Sequence, residues 1–214
     1  MPKIIHIEFK RRRPERFLVY LDDGETYLFS PETVVKYSFA IEKEFEEGAF
    51  AEIMREDGVQ RAKDQILRYL GIRPHSRREL LLKTLKKGFT SEHIETALRD
   101  LERVGLIDDQ QFSRLFIQNE LLLRPCGGNL LKEKLLKRGV SPVIFQPILD
   151  EIFKKQPQEQ IIKKVAQKFL NKNSRLSTPK RLEKLVRHLQ NKGFDWAMIN
   201  WVIYDEKMSD VQAD

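Results

Sequence analysis

A four-residue phrase recurs three times along the chain: a basic residue, a glycine, an apolar residue and a helix-capping residue. It reads Lys87-Gly88-Phe89-Thr90, Arg138-Gly139-Val140-Ser141 and Lys192-Gly193-Phe194-Asp195, with the glycines 51 and 54 residues apart. Apolar residues flank each copy at matched offsets. Leu80, Leu131 and Leu185 stand eight residues before the glycine, Ile94, Phe145 and Ile199 six after it, and Leu98, Leu149 and Ile203 ten after it. Turn chemistry at a fixed phase, with a period of about fifty residues, marks an internal repeat and restricts the chain to an array of like units.

The phrase is itself a helix joint. Glycine takes the left-handed position that ends a helix without a Cβ penalty, and the Lys or Arg before it meets the negative end of the helix dipole. Thr90, Ser141 or Asp195 then accepts a hydrogen bond from the free amides of a new helix, and Pro142 suits a first helical position. A third helix precedes each joint. In the first unit it runs roughly from Val59 to Leu70, with Ser76-Arg77-Arg78-Glu79 reading as a capping box for the helix that follows. In the second, Asp108 to Gln111 opens a helix over Phe112 to Leu123. In the third, Ile161, Ile162, Val165, Ala166, Phe169 and Leu170 form one apolar stripe after Pro157, and Thr178-Pro179 opens the next helix. The expected fold is mainly α: three tandem three-helix repeats in an elongated array, over residues 50–108, 109–155 and 156–207, with a flexible tail at 208–214.

Residues 1–48 read differently. Lys3 to Phe9 and Arg16 to Leu21 are β-rich, Asp22-Asp23-Gly24-Glu25 is a hairpin turn, and Thr26 to Phe29 is the returning strand. Ser30-Pro31-Glu32 caps a helix expected to reach about Phe45. The predicted module is a small β-meander with one helix. The basic run Lys10 to Arg13 before Pro14 reads either as a phosphate-contacting loop or as a solvated turn that protects a strand edge.

Charge differs among the copies. The formal net charge is +7, yet residues 154–192 hold 12 basic side chains against only Glu159 and Glu183. The third repeat is the electrostatic pole. Lys164, Lys168 and Lys172 recur every four residues beside Lys163, and Lys180, Lys184 and Arg187 share a helix face next to Arg181. These eight residues are the candidate binding surface, for phosphates or for an acidic protein surface. Arg73, Arg77 and Arg78 form a smaller cluster, read equally as surface charge or as a secondary partner contact. Phe169 is the one aromatic in the basic segment and belongs to the core stripe, which argues against base stacking there. Trp196 and Trp201, at helical spacing, are expected to pack inside.

Little points to catalysis or metal chemistry. Asp108 and Asp109 are explained as a helix cap and a first-turn acid, and the histidines at 6, 75, 93 and 188 have no companions at zinc-like spacing. Cys126 cannot form an internal disulfide, which fits a reducing cytoplasm. No apolar run approaches the ~20 residues of a membrane span, and no secretory signal is read at the N-terminus. No cofactor is expected, nor a membrane.

The run Arg68-Tyr69-Leu70-Gly71-Ile72-Arg73-Pro74-His75-Ser76-Arg77-Arg78-Glu79-Leu80, followed by Lys87-Gly88-Phe89 and by Gly105-Leu106-Ile107-Asp108-Asp109-Gln110-Gln111-Phe112, resembles the RecX family of RecA regulators. The resemblance covers residues 60 to 205, and the β segment is similar to the extension of some bacterial members. The chain departs from the family at His75, where Arg is common, and at Ser113, where a small residue such as Ala is common. What the resemblance implies is a non-enzymatic cytoplasmic protein of DNA repair, recombination and the SOS response. It would bind the RecA–single-stranded DNA filament and depress its recombinase, ATPase and co-protease activities. Its partners would be the RecA filament and single-stranded DNA, with duplex DNA a further candidate, and the protein is expected to act as a monomer. The alternative is a stand-alone nucleic-acid-binding module using Ser91 to Leu101 as a recognition helix, although Glu92, Glu95, Asp100 and Glu102 would repel phosphates there.

Overall fold

The computed structural model describes residues 1–11, 14–175 and 177–211, with side chains described as far as Tyr204. Arg12 and Arg13 of the expected phosphate-contacting loop, and residues 212–214 of the expected tail, lie outside the described residues. The chain forms two compact units, residues 1–75 with 79–107 and residues 76–78 with 108–214.

The first unit opens with strands β1 (Ile4–Lys10), β2 (Arg16–Leu21) and β3 (Thr26–Phe29), antiparallel and in sequence order. Phe17 faces Phe9 on one side and Phe29 on the other, and Val19 faces Ile7 and Tyr27, so one face of the sheet collects the apolar side chains. Helix α1 (Pro31–Lys36) starts as expected, capped by the Ser30 hydroxyl, which accepts from the Thr33 amide. It ends after six residues and not at Phe45. Residues 42–45 are instead tied to the first strand: Ile4 N–H donates to Lys43 O, Glu42 N–H to Ile4 O, and Phe45 N–H to Pro2 O. The strand edge needs partners for its amides and carbonyls, and this segment supplies them where helix would not.

Helix α2 (Glu47–Leu70), by contrast, starts twelve residues before the expected helix over 59–70. Its first half carries Phe50, Ile53 and Met54 onto the sheet. Its second half places Ala62 and Ile66 against Leu80 of α3 (Arg77–Leu85) and Ile94, Ala97, Leu98 and Leu101 of α4 (Ser91–Arg103). One helix therefore serves two cores. Asp57, nearly fully buried between them, accepts from the Ser30 backbone N–H at 2.7 Å and pairs with Arg61 at 2.8 Å.

The second unit is built from α5 (Asp109–Leu123), α6 (Gly128–Lys137), α7 (Pro142–Lys155), α8 (Gln158–Lys172), α9 (Thr178–Asn191) and α10 (Trp196–Val211) around one continuous apolar core. Asp108 caps α5 by accepting from the Gln110 and Gln111 amides, and Asp195 accepts from Met198 N–H at the start of α10. The matched positions of the repeat do converge on the cores. Leu80, Leu131, Leu185, Ile94, Phe145, Ile199, Leu98 and Leu149 are all buried, and Ile203 packs partly buried against them.

The three glycines all adopt positive φ, +87° at Gly88, +77° at Gly139 and +76° at Gly193. Their surroundings differ. Nothing lies near Gly88, whereas a Cβ at Gly193 would fall closer than 3.0 Å to the Leu130 backbone. There the third phrase receives the start of α6: Gly127 N–H donates to Lys192 O at 2.8 Å and Asn129 N–H to Gly193 O at 3.2 Å. Residues 76–78 repeat this docking one copy earlier. Ser76 Oγ donates to Arg138 O at 2.6 Å, and the Arg78 side chain lies directly over Gly139.

Candidate cationic groove

The C-terminal end of α5 and the flanks of α8 and α9 enclose a groove of about 620 Å³. Lys164, Lys168 and Lys172 line it from α8, Arg124 from the residue after α5, and Lys192 from the end of α9. Leu123, Pro125, Val165 and Phe169 supply apolar surface, and His188 stacks on Phe169 with ring centroids 4.7 Å apart. No acidic side chain is among the lining residues. Lys164, Lys168 and Lys172 make no ion pair with any described residue.

The spacing explains why they share a wall. Four-residue steps on a 3.6-residue helix drift slowly around the axis, so the three lysines form one ridge, with Val165 and Phe169 beside it in the groove and Ile162 and Ala166 turned into the core. Like charges at this spacing oppose the helix by a few tenths of a kcal/mol per pair. A groove walled by cations on an apolar floor focuses positive potential outward. Burial, reinforced by Lys192, pushes the His188 imidazole below its ordinary 6.5, so at neutral pH it contributes a flat neutral ring and the charge comes from Lys and Arg.

Of the eight predicted residues, only Lys164, Lys168 and Lys172 line the groove. Lys180, Lys184 and Arg187 form an exposed ridge on α9 that does not line the groove, and Arg187 pairs with Glu183 at 3.0 Å. Arg181 is partly buried. Lys163 leaves its neighbours for the other side of α8, with Nζ 4.7 Å from the centre of the Trp201 ring. Arg124, Lys192 and His188 were missed. Arg124 is forty residues away in sequence, and Lys192 already had a local explanation as a helix-end charge.

The secondary cluster separates as well. Arg73 pairs with Glu79 at 3.2 Å, the Arg77 backbone N–H donates to Asp109 at 2.9 Å, and Arg78 covers Gly139. His75 is buried, with Nδ1 2.8 Å from Arg73 O and Nε2 2.7 Å from Lys83 Nζ, so the lysine donates to a neutral ring. Ser113 is fully buried and donates to Asp109 O at 2.6 Å. Burial pushes the Cys126 thiol up, away from thiolate character. The tryptophans correct the expectation of core packing: Trp196 is 57% exposed and Trp201 41%. Ile199 and Val202 fill the inner face of α10, leaving the indoles on the other side.

Fold and groove together define a helical-repeat protein with a β-rich N-terminal segment and a strongly cationic face. No helix among the described residues is long and apolar enough to cross a membrane. Family models for the RecX first and third three-helix domains match residues 62–101 and 157–203. A regulatory protein RecX of Pelodictyon phaeoclathratiforme is 32% identical over 146 residues, covering 68% of this chain and 89% of that one. Those of Oceanobacillus iheyensis and Clostridium perfringens are 26% and 28% identical, each over 95% of this chain and over 76% and 95% of their own. A crystal structure of regulatory protein RecX superposes with a TM-score of 0.70 at 22% identity, over 96% of this chain and 100% of that one. That of RecX from Lactobacillus salivarius gives 0.62 at 21%, over 72% and 99%. The chain belongs to the RecX family.

Proposed function

We propose that this protein regulates RecA by binding the RecA–single-stranded DNA filament and damping its ATPase, recombinase and co-protease activities, without catalysing a reaction itself. The observation that carries this reading is the groove of the third repeat: five cationic side chains and no acidic one, on an apolar floor. None of its lining residues supplies a counter-charge, and closely spaced phosphates of a nucleic-acid backbone would. The family's naming as regulatory proteins supports a modulating role. The protein works in the cytoplasm as a monomer, with no cofactor.

The test is DNA-dependent ATP hydrolysis by RecA, measured with the protein and with its Lys164→Glu/Lys168→Glu/Lys172→Glu variant. The parent lowers the rate at substoichiometric to stoichiometric ratios, and the variant needs far more protein at unchanged helicity. An unaltered rate at saturating protein overturns the reading.

A further inference from the structure

Helix α10 turns two kinds of side chain in opposite directions. Ile199 and Val202 are buried, with Met198 and Ile203 packed beside them. The rest of the wheel carries Trp196, Trp201 and Tyr204, exposed by 57%, 41% and 67%. Tyr204 follows Trp201 by three residues, so their rings are neighbours on the helix, and Trp196 lies two turns back along the Tyr204 side. Leaving large aromatic side chains in water forgoes roughly 1.5–3 kcal/mol each relative to burial. Three on one helix, in a unit with a complete apolar core of its own, call for a partner.

The partner's chemistry is set by what stands beside the rings. Lys163 of α8 lies 4.7 Å from the centre of the Trp201 ring, so a cation and an indole are presented together. Lys164 and Lys168 continue the same helix toward the groove. A ligand that satisfies both features is planar and aromatic at intervals and negatively charged between them. Unpaired nucleobases on a phosphate chain have that form, while duplex bases are already stacked on one another. We propose that the exposed face of α10 is a stacking platform for bases of single-stranded nucleic acid, with the phosphate chain running on to Lys164 and Lys168 of the groove. This rests on the reading that the third repeat meets single-stranded DNA, and it adds a base-contacting surface to the phosphate-contacting groove. The lack of aromatics within 154–192 other than Phe169 does not remove stacking from the repeat; it moves it to the next helix.

Trp196 and Trp201 are the only tryptophans in the chain, so intrinsic fluorescence reports on the platform directly. The full chain is titrated, without RecA, with an oligothymidylate of about sixteen nucleotides and with an abasic sugar–phosphate oligomer of the same length. The oligothymidylate quenches the emission and binds about tenfold more tightly than the abasic oligomer. Trp201→Ala brings the two affinities together with its circular dichroism unchanged, and Trp201→Phe restores most of the difference. Equal affinity for both oligomers with no quenching overturns the platform and leaves the groove reading standing. Binding to neither removes the platform and the DNA contact beneath it. If Trp201→Ala abolishes inhibition of RecA while oligothymidylate affinity stays unchanged, the rings contact protein and the proposal falls.

Discussion

The first and third copies of the repeated phrase share a local conformation and differ in everything around it. Gly88 turns its helix into open space, while Gly193 turns against the backbone of residues 127–130, whose amides donate to the Lys192 and Gly193 carbonyls. The surfaces diverge in parallel. Around the first copy the cations are answered within the unit: Lys63 pairs with Asp100 at 2.8 Å, Arg73 with Glu79, and Arg61 with the buried Asp57. Around the third, Lys164, Lys168 and Lys172 line one wall of a groove without a carboxylate. Exposed ion pairs add little stability, so what the first copy gains from them is a neutral exterior. The two copies thus share the joint and differ in the surface around it.

Substituting the glycines gives the sharpest contrast. Gly193→Ala combines a strained backbone with a backbone clash and should cost the second unit about 3 kcal/mol or more, read as a lowered Tm. Gly88→Ala, with the same φ but free space, should cost about 1 kcal/mol. Equal costs would show that the third phrase is a joint and not a docking socket. Between these values falls Asp57→Ala, about 2–3 kcal/mol in the first unit, because the buried Ser30 amide loses its acceptor and Arg61 its counter-charge.

Charge reversal tests the surfaces. Lys164→Glu/Lys168→Glu/Lys172→Glu should weaken single-strand binding about ten- to a hundredfold near 0.1 M salt, and lower the slope of log affinity against log salt by about 2. Reversing Lys63 and Arg73 in the first unit should leave both quantities nearly unchanged. A similar loss from either set would spread the binding surface over the molecule and end the contrast.

The smallest effect separates the units by pH. Burial holds the His75 imidazole below its ordinary 6.5, with the Arg73 and Lys83 charges adding to this. The unfolded chain takes up that proton first, so the first unit has the full contribution above about pH 6.5 and loses it as pH falls through the lower folded value. His188 does the same in the second unit, but a bound polyanion favours its charged form. Urea midpoints measured from pH 8 to pH 5 should therefore drop in the free protein, and oligonucleotide should protect the second unit more than the first. His75→Gln should flatten the profile of the first unit alone.

Much of the helical scaffold was legible because its signals are local. A glycine with a cap two residues later, or an aspartate with free amides after it, acts over one or two turns, and Gly88-Phe89-Thr90 and Asp108 behave accordingly, whereas Ser141 takes the cap position without the expected side-chain bond. The expected helix after Ser30 failed for a non-local reason: residues 42–45 answer the hydrogen-bonding needs of a strand forty residues away. The candidate site divided in the same way. Periodicity put Lys164, Lys168 and Lys172 on one ridge, but nothing in the spacing could bring Arg124 to face them or send Lys163 to Trp201.

The sequence by itself determined the repeat, the joints, the apolar positions that enter the cores and the concentration of charge in the third copy, since each depends on residue type and separation along one helix. The tertiary structure alone decided which cations share a groove, which phrase becomes a socket and which face of α10 stays open. Those outcomes depend on how helices lie against one another, and packing unites residues whose separation along the chain carries no period.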